Sequence, residues 1–132
     1  MVGKIWSRQA NDFVGMTDLF GALATHDVVL LGERHDHPDH HRLQAQILEQ
    51  VGASALVGFE MFDEQDESSV TAGMSADQIA KASDWAQSGW PNFELYRPIF
   101  DVVTRLRMTP LAIHPSRERL MSRARQPDKF AE

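Results

Sequence analysis

The sequence predicts an α/β protein with a small parallel sheet whose strands are joined by helical crossovers. Short apolar runs at residues 28–31, 56–59 and 111–113 are bounded by turn residues, as buried strands are. The segments between them carry apolar residues at helical spacing. Strands that alternate with helices favour parallel pairing with right-handed crossovers. We therefore expect the three runs to be neighbouring strands of one sheet.

The first elements are a short helix, a strand and a longer helix. The first helix is predicted to begin at Thr17 or Asp18, and strand 28–31 follows. Pro38 suits the first position of the longer helix, with Asp36 or His37 as the residue that caps it. This helix is predicted over 38–51, and its apolar face is formed by Leu43, Ile47 and Val51.

The second half of the chain is predicted to continue the alternation. Strand 56–59 ends at Glu60, and residues 61–74 are expected to be irregular. Ser75 and Gln78 have the spacing of a capping box and predict a helix there. Pro98 is predicted to start the next helix, which precedes strand 111–113.

Size and charge place the chain among ordinary globular proteins. The 132 residues, 42% hydrophobic and 24% charged, predict a single domain. No cysteine is present, so disulfides, thiolate metal sites and cysteine nucleophiles are excluded, and no Gly-x-Ser-x-Gly element indicates a serine nucleophile. Residues 1–96 carry 5 basic and 15 acidic groups (net −10), and residues 97–132 carry 8 and 4 (net +4). No basic stripe with interleaved aromatics indicates nucleic acid, and no apolar run reaches the roughly 20 residues of a membrane span.

Ionisable side chains follow each predicted strand. Glu33 and His35 follow the first, Glu60 ends the second and His114 ends the third. Because the carboxyl ends of parallel strands meet at one edge, where open α/β sheets bind ligands, these four side chains are predicted to converge. Carboxylates and imidazoles suit a divalent metal, and they equally suit general acid–base chemistry.

Four of the six histidines lie within residues 35–41. Projecting the predicted apolar face of helix 38–51 back by one turn places His40 on its centre line and His37 near its edge. His37 and His40 are therefore expected to look toward the sheet. His41 is expected to point to solvent.

The motif that begins at Gly32-Glu33-Arg34-His35 resembles the ChaN family of haem-binding proteins, in the superfamily of TIKI/TraB proteins and erythromycin esterases. The resemblance runs in order through residues 27–119 and includes Gly58-Phe59-Glu60 with Gln65, Gly89-Trp90-Pro91 with Tyr96, and Pro115-Ser116-Arg117. It implies that Gly32-x-x-His35 is the superfamily's first Gly-x-x-His element. Glu33 would be its adjacent acid, and Glu60 the carboxylate that ends the next strand.

The resemblance implies haem binding in haem or iron uptake, without catalysis. Haem requires an apolar slot, an axial ligand and cations for its propionates. The axial candidates by chemistry are His35, His37, His40 and Tyr96. The cationic candidates are Arg34, Arg97 and Arg117, and the aromatic side chains that could wall a slot are Trp85, Trp90, Phe93 and Phe100.

The alternative that remains open is a metal-dependent hydrolase of the TIKI or erythromycin-esterase kind. In that reading Glu33, His35 and Glu60 hold a divalent metal or activate water, and His114 is a further ligand.

The chain departs from the family pattern in two ways. His114 stands where ChaN-like chains usually have Asn, and the second Gly-x-x-His element of the family's longer members is absent. The expectation is one ChaN-like domain over residues 1–132 that is incomplete relative to the family. A small sheet with exposed apolar edges invites pairing, so a homo-oligomer, most simply a dimer, is expected. The family implies a periplasmic or membrane-associated location, although the first residues lack a signal peptide's apolar segment.

Overall fold

The computed structural model describes residues 3–64, 66 and 68–125, except the side chains of residues 117, 118, 123 and 124. Gln65, which belongs to the family motif, lies outside this part of the chain. The elements are, in order, β1 (Ile5–Ser7), β2 (Asp12–Val14), α1 (Met16–Leu23), α2 (Pro38–Val51), β3 (Leu56–Asp63), α3 (Ala76–Ala82), a 3₁₀ turn (Trp85–Gln87), α4 (Phe93–Arg105), β4 (Thr109–His114) and α5 (Arg117–Arg125).

The strands β3 and β4 form a parallel pair, which confirms the predicted α/β class. Leu56 lies opposite Thr109 and Phe59 opposite Ala112, and an irregularity follows before Asp63 meets His114. The intervening helices α3 and α4 make the crossover that parallel strands require. His114 ends β4, as the sequence predicts, whereas β3 continues past the predicted end at Glu60 to Asp63.

The prediction that residues 28–31 form a third strand is wrong. The segment has no regular secondary structure, and Val28 and Leu30 are 74% and 90% exposed. Strands of parallel sheets are normally buried on both faces. Leu56 and Ile113 are also exposed, so one face of the β3–β4 pair is not covered by the described residues and gives a third strand little burial.

The helix α2 begins as predicted but buries a different face. His37 is its N-cap residue and Pro38 its first residue. The buried residues include His41, Ala45 and Leu48, which are spaced by four and three positions. Of the face predicted from sequence, Ile47 is buried as expected, while Leu43 and Val51 are 44% and 36% exposed. The helix is therefore rotated relative to the prediction, and the rotation carries His41 inward.

The helices before β4 begin where side chains cap them. The capping box at α3 is confirmed, since the Gln78 N–H donates to Ser75 Oγ and the Ser75 N–H donates to Gln78 Oε1. The prediction that the next helix starts at Pro98 is wrong, because Asn92 accepts the Glu94 N–H and starts α4 one turn earlier. Pro98 lies inside that helix.

An N-terminal hairpin of β1 and β2 was not foreseen. Its strands are three residues each, too short for a clear alternation of side chains. Asn11, near the turn, has a left-handed φ of 51°. Trp6 and Phe13 pack edge to face across the strands, with ring centroids 5.1 Å apart.

The hydrophobic core lies between α2, α3, α4 and the inner face of the strands. Its largest fully buried side chains include Tyr96, Phe62, Phe100 and Ile79. The predicted slot aromatics Trp85, Phe93 and Phe100 belong to this core, while Trp90 is half-buried at its margin. Within residues 3–64, 66 and 68–125, no helix is long and apolar enough to cross a membrane.

Candidate functional site

The irregular segment before α2 is held against the first two turns of that helix. The Arg34 N–H donates to His40 Nδ1 at 2.9 Å, and the His37 N–H donates to the Arg34 carbonyl at 2.9 Å. Gln44 donates through Nε2 to the Leu31 carbonyl at 3.3 Å. These bonds fix the backbone on both sides of Glu33, so a segment without secondary structure presents its side chains in a defined place.

Glu33 lies at the centre of a polar cluster. Its Oε1 is 2.9 Å from His35 Nδ1, and its Oε2 is 2.9 Å from His41 Nε2. The Glu33 side chain is only 9% exposed. Burial raises the pKa of this carboxyl, but the contacts with His35, His41 and Tyr96 outweigh burial, so the pKa lies below the ordinary 4.5. Glu33 is therefore a carboxylate at neutral pH.

His35 is oriented by two contacts. A carboxylate can only accept hydrogen bonds, so the Glu33 contact places the ring proton of His35 on Nδ1. The ring also packs edge to face on Trp90, with centroids 4.9 Å apart. Within the described residues, no partner is bonded to Nε2, and the side chain is 45% exposed. His35 therefore carries an accessible nitrogen with a free lone pair.

The expectation that His41 points to solvent is wrong. His41 is fully buried, and its ring lies 4.1 Å from the ring of Tyr96. Tyr96 is also fully buried, and burial together with the Glu33 charge raises the pKa of its hydroxyl. Both side chains form the inner wall of the Glu33 cluster. The sequence signal for His41 was its spacing of four and seven residues from the apolar Ala45 and Leu48.

His37 and His40 stack on each other beside the Glu33 cluster, with ring centroids 4.4 Å apart. His40 Nδ1 accepts the Arg34 N–H, while His37 stands at the N-cap position of α2 without a side-chain cap bond. The Arg34 side chain is exposed and pairs with Asp36 at 3.6 Å. Arg117 is the first residue of α5, and its side chain lies outside the described part.

A cavity of about 850 Å³ lies beside the cluster. One side is formed by residues 29–33 with His35. The other side is formed by residues 55–61, which include the first part of β3. Most of its lining is apolar, including Leu30, Ile99 and Ile113. The lining includes all four strand-end residues of the sequence prediction, namely Glu33, His35, Glu60 and His114.

The four strand-end residues share this cavity without forming a metal-binding group. Across residues 3–64, 66 and 68–125, no set of three or more His, Asp or Glu side chains is arranged to hold a metal ion. Glu33 instead directs its two oxygens to two histidines. The Glu33, His35, Glu60 and His114 ligand set stays a prediction, and in the described part Glu33 is paired with two imidazoles.

The lowered pKa of Glu33 predicts a pH dependence of stability. A carboxyl whose pKa is lower in the folded state stabilises the fold above its unfolded pKa of about 4.5, and this contribution is lost as pH falls through the folded pKa. Urea unfolding from about pH 7 to about pH 3 should therefore show the stability advantage of the wild type over Glu33→Gln shrinking below about pH 4.5. A difference that stays constant with pH would contradict the assignment of Glu33 as a stabilised carboxylate.

Comparison with known proteins gives one match. A family model described as "Haem-binding uptake, Tiki superfamily, ChaN" matches residues 19–130. The match covers the segment of the Glu33 cluster, both strands of the parallel pair and the helices between them. No curated protein and no solved structure matches the chain.

Proposed function

Because this chain belongs to the ChaN family of haem-binding uptake proteins in the Tiki superfamily, we propose that it binds haem in the cavity beside β3 and holds the haem iron through His35 Nε2. The observation that carries this proposal is the 2.9 Å contact between His35 Nδ1 and Glu33 Oε1. A histidine that ligates a metal almost always donates its other ring N–H to a carboxylate, carbonyl or water. His35 has this arrangement before any ligand is bound.

The cavity has the size and chemistry that a porphyrin requires. Its volume of about 850 Å³ falls within the range of small-molecule sites, which is roughly 300–1,000 Å³. Val57, Ile99 and Ile113 give it apolar walls, and His35 and Glu33 lie on the same lining. Leu30 and Ile113 are 90% and 59% exposed, so binding of an apolar ring would remove their surface from water.

His35 fits the axial role better than the other candidates. The Tyr96 hydroxyl is fully buried behind Glu33, whose negative charge disfavours the phenolate that binds iron. The Nδ1 atom of His40 is engaged with the Arg34 N–H, and neither His37 nor His40 lines the cavity. His35 alone of these four side chains lines the cavity.

The propionates of the bound haem are assigned to Arg34. Its side chain is 73% exposed, and its contact with Asp36 is a long surface pair of 3.6 Å, which costs little to exchange. Arg97 is less suited, because it is held by Glu94 and Asp77 at 2.6 Å and 2.8 Å. Haem bound here would supply the iron that an uptake protein carries, and His35 and Arg34 would bind and orient it.

We further propose that the chain forms a homodimer around this cavity. Val28, Leu30, Leu56 and Ile113 are all more than half exposed, and three of them line the cavity. Soluble monomers rarely expose contiguous apolar patches of this kind. Multi-angle light scattering at micromolar concentration should give twice the chain mass of 14.9 kDa. A monomer mass at every concentration, with and without haemin, would contradict this arrangement.

A metal-dependent hydrolase remains the second candidate, because Glu60 and His114 line the same cavity as Glu33 and His35. A metal bound by Glu33 would share its oxygens with His35 and His41, since each oxygen already contacts one imidazole and has a further lone pair. Saturable binding of Zn²⁺ or Mn²⁺ together with ester hydrolysis would favour this candidate over haem binding.

The experiment that tests the proposal is a haemin titration of the purified chain. We expect a Soret band that shifts, grows to saturation and corresponds to a fixed ratio of haemin to chain. A Leu43→Ala variant, changed on the exposed side of α2, should behave as the wild type does. Absence of a saturable spectral change in a folded sample would remove the haem proposal.

A further inference from the structure

We infer that His41 is a positioning residue, which aims the His35 ring by holding the Glu33 carboxylate between the two imidazoles. The inference deepens the haem proposal and rests on it for its purpose, because the ring that His41 aims is the proposed iron ligand. The contacts of Glu33 with His35 and His41, on which the inference depends, are those of the ligand-free chain.

Glu33 needs a second partner to keep its place. It lies in a segment without secondary structure, so no helix or strand fixes its χ angles. Its Oε1 meets the half-exposed His35, while its Oε2 meets the fully buried His41 at 2.9 Å. Of the two imidazoles, only His41 is immobilised by the core. In the series of contacts His41–Glu33–His35, His41 is therefore held rigidly and His35 is free to adjust.

The surroundings of His41 suit this role. The residue lies in the first turn of α2 and packs on Tyr96, whose ring is also fully buried. Within the described residues neither ring nitrogen has a partner of full hydrogen-bond geometry, and the 2.9 Å approach of Nε2 to Glu33 Oε2 is the polar contact that the ring makes. Burying a polar ring without well-aligned hydrogen bonds costs about 1–3 kcal/mol. An apolar side chain would avoid that cost, which indicates that the contact with Glu33 is the reason for a histidine here.

The consequence for His35 concerns its tautomer. The hydrogen bond that one ring nitrogen makes decides which nitrogen of a neutral imidazole carries the proton. While Glu33 is held, His35 donates from Nδ1 and leaves Nε2 with its lone pair. If the contact with His41 is lost, the Glu33 side chain can rotate away from His35. His35 then lacks the acceptor that selects the Nδ1–H tautomer, and the proton can move to Nε2, where it blocks the lone pair that would bind a ligand.

The test is nitrogen-15 NMR of the histidine rings in the ligand-free protein. In the wild type we expect His35 to carry its proton on Nδ1. In His41→Leu we expect that preference to be lost, and in His41→Gln we expect it to return, because the glutamine amide places a donor near the position of Nε2. Arg42→Leu changes a neighbouring exposed residue of α2, whose partner among the described residues is Asp39, and it should leave His35 unchanged.

A second pair of variants covers the case in which His41→Leu does not fold. The amide of His41→Asn is too short to reach Glu33, so the Asn variant should lose the His35 tautomer that the Gln variant retains. A purely structural role for His41 would alter the melting temperature of these variants without separating their tautomers. Retention of the Nδ1–H tautomer in a folded Leu or Asn variant would overturn the inference.

Haemin binding provides the second readout. Loss of a group that orients a metal-binding histidine typically weakens the metal site by roughly 10- to 100-fold, and we expect His41→Asn to raise the haemin dissociation constant by that factor. Within a Glu33→Gln background the same change should have no further effect, since His41 acts through Glu33. If the tautomer responds as expected while the wild type binds no haemin, the haem proposal fails and the positioning role of His41 stands.

Discussion

His35→Ala should abolish high-affinity haemin binding, raising the dissociation constant by more than roughly 100-fold. The reason is that His35 alone among the axial candidates lines the cavity, and its Nε2 has no other recorded partner in the described part of the chain. The fold should survive, because the side chain is 45% exposed and contributes little to the core. Haemin titration followed at the Soret band, with circular dichroism as a check of folding, measures both effects.

The matched control for this substitution is His114→Ala. His114 lines the same cavity from the end of β4, but no carboxylate of the described residues is in contact with it. Its loss should change haemin affinity by less than about 5-fold, well below the effect at an oriented ligand. Equal losses in the two variants would show that haemin binds through the apolar walls or through either histidine. A larger loss in His114→Ala would move the axial ligand to β4.

Phe100→Ala should be the most destabilising of the single substitutions considered, lowering the free energy of unfolding by about 3–5 kcal/mol. Phe100 is fully buried in α4, and its ring lies 4.9 Å from Phe59, 5.2 Å from Phe93 and 5.8 Å from Trp85. Domains of this size are stable by only about 5–15 kcal/mol, so the variant should be close to unfolding at room temperature.

Urea denaturation measures this loss, with Phe13→Ala as the control. Phe13 is 42% exposed on the N-terminal hairpin and packs only on Trp6 among the described aromatic rings. Its replacement should cost less than about 1 kcal/mol, as surface substitutions do. A comparable shift of the denaturation midpoint in both variants would show that the aromatic cluster around Phe100 does not dominate the stability.

The local elements of the fold were predictable from the sequence. The parallel strands β3 and β4 follow from short apolar runs between turn residues, and the start of α3 follows from Ser75 and Gln78. Each of these sequence patterns spans no more than about ten residues, so it can be recognised without knowing the rest of the fold. The hairpin of β1 and β2 was missed because three-residue strands carry almost no periodic signal.

The segment at residues 28–31 shows that a local sequence pattern does not always determine the secondary structure. Its sequence is that of a buried strand, yet Leu30 is 90% exposed and the backbone pairs with none of the strands in the described part of the chain. Whether an apolar run becomes a strand depends on what covers the sheet, and the composition of the run does not contain that information.

Sequence reasoning identified some residues of the candidate site and missed others. Glu33 and His35 were identified by position, because ionisable groups that follow an apolar run toward a sheet edge tend to be used. His41 was assigned to solvent because Leu43 and Val51 suggested the wrong face of α2. The buried face of α2 instead includes Ala45 and Leu48, and His41 lies on the same face. The contact with Glu33 offsets part of the cost of burying the His41 ring. A buried histidine can be recognised only together with its partner.

Resonance Raman spectroscopy of the ferrous haem complex tests the assignment of His35 as axial ligand most directly, since it reports the bond between iron and an imidazole nitrogen. We predict an iron–histidine stretching band in the wild type, no such band in His35→Ala, and its return when free imidazole is added to that variant. An unchanged band in His35→Ala, or a haem-loaded wild type without the band, would contradict the binding of haem iron by the His35 ring that Glu33 orients.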